Sequence, residues 1–365
     1  MNNILTGLSI GGVQGKVSAL TAAGGGSVAG SYMLVGIALV LLVLFFVANK
    51  FVQKRMGSAI DAALTYLSTR GLIGGIIIFT ANCILNRSLP VIRVYSLLMA
   101  AMLSLFVCIY TILGFKIMSY GSLAVFTVFL MLGGMIVPYL YGVIFLDEAI
   151  NAPRIIGIVL MVISMFLPLI GENRERVSGA ADNAEGTDAP AASASRRIVF
   201  GVLCILVFLL NGMVSVISKT HAAGVLKFRS SDSMTFVMLC MLTCGAISGT
   251  MLAVYKLINR GKALRVNAAD TGNGAKSVNA ATVTRQLFRA ALVFIALAAL
   301  FDSASFFFQQ LGAAALPASV MYPIMTGGSI VLTARAGLLI FKEKPSKIAL
   351  IGLAITFIST FLFLF

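Results

Sequence analysis

The sequence predicts an all-α polytopic membrane protein, with ten transmembrane helices arranged as two inverted five-helix repeats. Three observations carry this. The chain of 365 residues is 59% hydrophobic and only 11% charged. Its apolar residues come in long unbroken runs of the length that crosses a bilayer. Residues 125–169 match residues 320–364 without a gap, at an offset of 195.

Composition excludes whole classes of function. A soluble globular chain carries roughly 25% charged residues, and this one has too few to cover a water-facing surface. Soluble enzyme, nucleic-acid binder and disordered scaffold are ruled out. A barrel is disfavoured because the apolar residues do not alternate. The net charge of +15, from 27 Lys+Arg against 12 Asp+Glu, lies mostly in the gaps between apolar runs. There it sets topology beside lipid head groups and does not point to nucleic acid. His221 is the one histidine. Cys83, Cys108, Cys204, Cys240 and Cys244 are scattered in apolar stretches. Cys240 and Cys244 share a helical face, but with no His or acid nearby they make no zinc pattern. No metal and no cofactor is expected.

The ten segments run over approximately 32–53, 70–87, 92–115, 121–146, 152–171, 197–219, 232–257, 286–312, 317–341 and 346–365. The second is thin, and its start can reach back toward Leu64. Residues 1–30 read as a flexible Gly/Ala/Ser-rich tail, or alternatively a short weakly inserted helix, with Gln14 and Lys16 inside the only candidate run, unlike a signal peptide. The first repeat covers 31–171, a linker covers 172–196, and the second repeat covers 197–365. The linker and the basic 259–285 loop lack the apolar content to fold alone. Neither holds a Walker motif.

The aligned copies share Gly133/Gly328, Gly142/Gly337, Glu148/Glu343 and Gly157/Gly352. Five crossings separate Glu148 from Glu343. Five is odd, so the halves have opposite orientations, an architecture of alternating-access transporters. Residues 92–170 are therefore expected to superpose on 287–365 after a rotation of roughly 180° about an axis in the membrane plane.

The stretch Leu132-Gly133-Gly134-Met135-Ile136-Val137-Pro138, then Gly142 to Asp147-Glu148 and Gly157, resembles the signature of the EamA-type drug/metabolite transporters. The second copy, Leu316-Pro317-Ala318-Ser319, Pro323-Ile324, Gly328, Gly337, Phe341-Lys342-Glu343 and Gly352, is similar to that family's C-terminal half. Asn49 and Lys54 resemble the end of its first helix. The resemblance covers about residues 32–365. It implies ten helices, a central solute cavity and export or exchange of small metabolites. The 1–30 tail, the thin second segment and Arg335, where the first copy has Leu140, depart from the pattern.

Ionisable groups inside membrane helices are costly and point to function. Asp302 lies mid-run in segment eight. It reads as a proton, cation or amine site, or as a structural hydrogen bond to a neighbouring helix. No partner is spaced to it, and Arg335 sits roughly 12 Å away in depth if segments eight and nine form a hairpin. Lys54 and Lys219 close the first helix of each half, as cavity cations or interface anchors. Glu148 and Glu343 end the fourth helices, as gates or as caps. Gly133, Gly134, Gly327 and Gly328 permit close helix packing. Pro138 and Pro323 each remove a helix hydrogen bond and serve as hinge candidates. Asn82, Tyr110, Asn211, Gln309, Gln310, Tyr322 and Thr326 are candidate polar cavity contacts. Phe306, Phe307 and Phe308 cannot all face one direction.

The function these features favour is a secondary transporter of a small metabolite in the cytoplasmic (plasma) membrane, not an enzyme. A lipid-linked carrier flippase is the near alternative, and a non-transporting scaffold the alternative of a different class. The partners expected are a small-molecule substrate, the bilayer and a coupling proton or cation. Nucleic acid is not expected, and a homodimer is compatible. Loops after odd-numbered segments hold most of the bases, including Lys54, Arg55, Arg70, Lys116, Arg174, Arg260 and Lys347. Those after even-numbered segments hold Arg87, Arg93, Arg154, Lys227 and Arg229. The positive-inside rule places the first set in the cytoplasm and both chain ends outside, whereas the family resemblance implies both ends inside.

Overall fold

The computed structural model describes residues 28–56, 60–120, 123–181, 194–269, 277–340, 342 and 347–365. Within these, the side chains of 28, 115–127, 168–197, 260–287 and 349 are outside the description. The described chain is helical, without strands. The helices are α1 Val28–Met56, α2 Ile60–Asn86, α3 Val94–Tyr120, α4 Leu123–Phe145 and α5 Ala152–Ala181. They continue with α6 Ala194–Ala222, α7 Ser233–Ala269, α8 Ser277–Ala315, α9 Ala318–Ile340 and α10 Lys347–Leu362. Lipid offers the backbone no hydrogen-bond partners, so each apolar run must satisfy its own amides as a helix.

Among the described residues eight helices are long and apolar enough to span a membrane: α1 to α4 and α6 to α9. The chain is a multi-pass membrane protein. The described apolar parts of α5 and α10, Ala152–Leu167 and Leu350–Leu362, are shorter. At 16 residues, α10 reaches roughly 24 Å, short of a ~30 Å hydrocarbon core.

Four helices differ in extent from the sequence expectation. α2 begins at Ile60 and not at residue 70. α7 and α8 continue past their apolar runs into much of the expected 259–285 loop. α5 runs ten residues into the expected 172–196 linker. Extending a nucleated helix adds one hydrogen bond per residue fixed, so Ala, Lys, Arg and Glu suffice without apolar content.

Two compact units are present, and each draws helices from both sequence halves. The described residues of the first unit lie within 28–105 and 220–316, and the tail expected at 1–30 lies, up to residue 27, outside the described residues. In this unit α1 packs on α8, and α2 packs on α7 and α8. Ala48 and Ala298 sit with Phe45 in one α1–α8 cluster, and Val52 with Ala291 and Ile295 in another. The Ser305 hydroxyl donates to the Ala38 carbonyl at 2.7 Å. α2 and α7 cross through small residues. An added Cβ on Gly71 would lie 2.6 Å from the Gly245 amide nitrogen, and one on Gly75 would collide with the Leu242 side chain. Gly71 thus meets Gly245, while Gly75 meets Leu242 and Gly249 meets Ser68, and small residues at this spacing let helix backbones approach in lipid. The first half of α3 joins α7 where the Ser104 hydroxyl donates to the Cys240 carbonyl at 2.9 Å.

The second unit contains residues 106–219 and 317–365. α4 packs on α9, and α5 on α10. Val128, Leu132, Met135, Tyr139, Met161, Met165 and Phe363 form its main core. Ser164 and Thr356 share a hydroxyl bond of 2.7 Å across α5 and α10. The later half of α3 packs Tyr110 and Leu113 against Leu203, Cys204 and Val207 of α6.

α4 and α9 are each 23 residues long. They start and end at positions 195 apart, and α5 and α10 start 195 apart. Both α4 and α9 are followed by a residue in the left-handed region, Asp147 at φ 52° and Lys342 at φ 53°.

Candidate functional site

Among the described residues, polar groups concentrate at two places in the first unit and at one in the second. The first is a charge pair within the apolar span. Arg70 lies about 15 Å along α2 from Ile60, and Asp302 about 20 Å along α8 from Ala315. Their side chains meet at 3.0 Å and are 12% and 17% exposed. Arg70 also stands over the rings of Phe45 and Tyr66, at 5.3 and 5.6 Å. The Tyr66 hydroxyl is buried within electrostatic reach of both charges. The guanidinium is thus neutralised by one carboxylate and flanked by aromatic faces, a setting that keeps a cation tolerable in a span.

This corrects two expectations. Asp302 does have a charged partner, and Arg70 belongs to that pair and not to a loop. The hydropathy boundary misplaced Arg70 because α2 starts ten residues earlier than its apolar run. Arg335, the other cation considered, is exposed on α9.

A second seam joins α2 to α7 in the same unit. Asn82 is buried; its amide donates to Thr235 Oγ1 at 3.2 Å, and Asn86 donates to Asn82 Oδ1 at 3.1 Å. Thr235 in turn donates to Asp232 Oδ1 at 2.6 Å, while Asp232 caps α7 through the Met234 and Thr235 amides. His221 stacks on Phe236 at 3.6 Å and bonds Ser96 at 2.8 Å.

In the second unit the polar concentration surrounds Glu148. The chain reverses through Asp147, and the Glu148 amide returns to the Gly142 carbonyl at 3.1 Å. The carboxylate then accepts the first two amides of α9, from Ala318 at 2.6 Å and Ser319 at 2.7 Å. Gly142 leaves room for this, since a Cβ there would meet Glu148 Oε2 at 2.5 Å. Lys219, 5% exposed, lies within electrostatic reach of the carboxylate. The Tyr322 hydroxyl donates to the Ser215 carbonyl at 2.7 Å, one turn before Lys219. Glu148 therefore caps α9, with Lys219 within electrostatic reach.

α4 and α6 meet just inside. An added Cβ on Gly133 would collide with the Phe208 carbonyl, and one on Gly134 would lie 2.7 Å from Asn211 Nδ2. That closeness lets Asn211 donate to the Leu130 carbonyl at 2.7 Å. Pro138 removes the amide that would bond the Gly134 carbonyl, and the Ser215 hydroxyl reaches that carbonyl at 3.4 Å. Gly327 faces Thr360 and Met161, and Gly328 is half-buried. Pro323 lies inside α9.

The remaining candidates are dispersed. Lys54 is exposed at the end of α1, where its neighbour Arg55 stands 4.1 Å over Phe294. Tyr110 packs in the apolar α3–α6 cluster. Gln309 and Thr326 are half-buried, and Gln310 is fully buried. Phe306, Phe307 and Phe308 are all half-buried. Glu343 lies outside the described residues. Sequence reasoning missed Arg70 and Tyr66 at the charge pair, Tyr139 and Arg154 beside Glu148, and the Gly71/Gly75 and Gly245/Gly249 crossing. The paired Gly-x3-Gly spacings were the readable signal for the last.

No family model matches the chain, and no curated protein matches it. Its fold is similar to that of solved structures. One crystal structure, 12% identical, aligns with a TM-score of 0.61 over 92% of this chain and 96% of that one. At that identity the likeness concerns the fold alone.

Proposed function

We propose that this chain is a secondary carrier of a small metabolite, of the EamA-type drug/metabolite transporter kind, working by alternating access between two inverted five-helix repeats. The observation that carries the reading is the pattern of helix partners. Replace each helix by the one five further along or back, and the main pairings return. α2 with α7, α4 with α9 and α5 with α10 are their own counterparts. α1 on α8 has its counterpart in α6 on α3. α2 on α8 has one in α7 on α3. The shared 195-residue offset of helix boundaries agrees with a duplication. Each repeat being interleaved with the other suits an exchange of packing between two states.

The Arg70–Asp302 pair supports a polar cargo or a coupling proton, because ionisable groups inside membrane helices are costly and point to function by default. No step of this reading calls for enzymatic chemistry. The membrane proposed is the cytoplasmic one.

The test begins with thermal-shift screening of the purified protein against a metabolite panel at two pH values. A stabilising solute is then followed in proteoliposomes. Expected is saturable counterflow of that solute without ATP. A solute that stabilises the protein yet never crosses the bilayer overturns the carrier reading.

A further inference from the structure

The carboxylate of Glu148 occupies a place built for more than one carboxylate. It takes the first two amides of α9, a 23-residue helix whose positive end favours anions. Lys219 on α6 lies within electrostatic reach of it, and Arg154 on α5 shares Tyr139 with it as a common electrostatic neighbour. The other acid of the turn, Asp147, is exposed. Among the described residues, two cations and a helix dipole therefore lie within electrostatic reach of this partly buried turn.

Two hydroxyls are left over. Tyr139 Oη and Ser319 Oγ are buried and have no hydrogen-bond partner among the described residues. Ser319 supplies one of the amides that hold Glu148, and Tyr139 lies one turn before Gly142, against which the carboxylate rests. A buried hydroxyl without a partner carries a real desolvation cost. A larger anion has the acceptors to use both.

The occupant is also held loosely in covalent terms. Glu148 hangs on a short α4–α5 connection whose Asp147 adopts a left-handed conformation that non-glycine residues rarely take. Swinging that connection away removes the carboxylate without unwinding α4 or α9.

We propose that the start of α9, with Lys219, Tyr139 and Ser319, is a binding site for the anionic group of a solute, a carboxylate or a phosphate. Glu148 is its resident stand-in, displaced when the solute docks. The idea that the displacing anion is cargo rests on the carrier reading. The binding site itself does not, and its test uses no transport.

The full-length protein in detergent is titrated with acetate and with inorganic phosphate, with chloride as the ionic-strength control, and melting is followed. In Glu148→Ala the site is vacated, and both anions raise the melting temperature saturably. Wild type needs at least ~10-fold more anion, because Glu148 competes for the site. Adding Lys219→Met to Glu148→Ala removes the response. Should Glu148→Ala fail to fold, Gly142→Ala serves instead, since its methyl pushes the carboxylate aside while keeping it in the chain. It is expected to sensitise the protein to phosphate in the same direction. Responses in both variants no larger than with chloride overturn the site. Stabilisation by phosphatidylglycerol alone, with none by the soluble anions, overturns the solute assignment.

Discussion

Asp302→Asn is expected to lower both the yield and the melting temperature of the protein, and not merely to remove a titration. Asparagine keeps the volume of the side chain but removes the Asp302 charge from beside the Arg70 guanidinium, 3.0 Å away and only 12% exposed. A lone cation at mid-depth costs roughly 2.5–3.5 kcal/mol on insertion scales. Removing one member of a buried pair costs about 3–5 kcal/mol. Arg70→Gln strands the acid and is expected to act in the same direction. The double variant Arg70→Gln/Asp302→Asn carries no unpaired charge and should regain most of the lost stability, as strong coupling in a double-mutant cycle. If the pair serves transport, flux stays lost in the double variant. A single Asp302→Asn protein that melts with wild type shows that the pair contributes nothing to the fold.

The α2–α7 crossing is the second place where a small change has a large result. Gly71→Val places its Cβ within 2.6–2.8 Å of the backbone of α7, at the Gly245 nitrogen and Cα and the Met241 carbonyl. Backbone cannot swing aside as a side-chain tip can, so the helices must separate. Separation also stretches the Ser68 hydroxyl bond to the Gly245 carbonyl, now 3.1 Å. Overpacking of this kind costs typically ~1–3 kcal/mol and occasionally more, and this position is expected at the high end. Gly36→Val and Gly201→Val are the controls, because nothing stands within 4 Å of an added Cβ there. Melting in detergent should separate Gly71→Val from both controls. Equal melting of all three would mean that the crossing is not a close one.

Much of the architecture was legible because lipid enforces it. An apolar run of spanning length has to be a helix, so the run positions located the ten helices among the described residues. Their ends were less legible. Ile60–Thr69 and the basic continuations of α7 and α8 are polar helix, and hydropathy is blind to polar helix that continues from an apolar run. The Gly142 and Glu148 spacing was readable as a turn and cap, and Glu148 does cap a helix. Which helix it caps was not readable, since Ala318 lies far along the chain. The same holds for Arg70 and Asp302. Each is visible as a charge, but their meeting depends on how α2 and α8 pack. Asn82 and Asn211 stood out as polar residues in apolar runs. Sequence could not say that Asn82 spends its amide on Thr235 and Asn211 on a backbone carbonyl.

The Arg70–Asp302 pair has a consequence for biosynthesis. The ribosome makes α2 early and α8 late, with more than two hundred residues between the two charges. At ~5–20 residues per second the acid emerges on the order of ten seconds or more after the arginine. Throughout that interval α2 is a segment with an unbalanced cation, poorly suited to leave the translocon for lipid. Its release is therefore tied to the arrival of the second half of the chain. Glycosylation mapping of nascent chains ending near residue 181 should find α2 incompletely inserted, and fully inserted once translation passes Ala315. Complete insertion of the short chain would show that the membrane accepts Arg70 unaided.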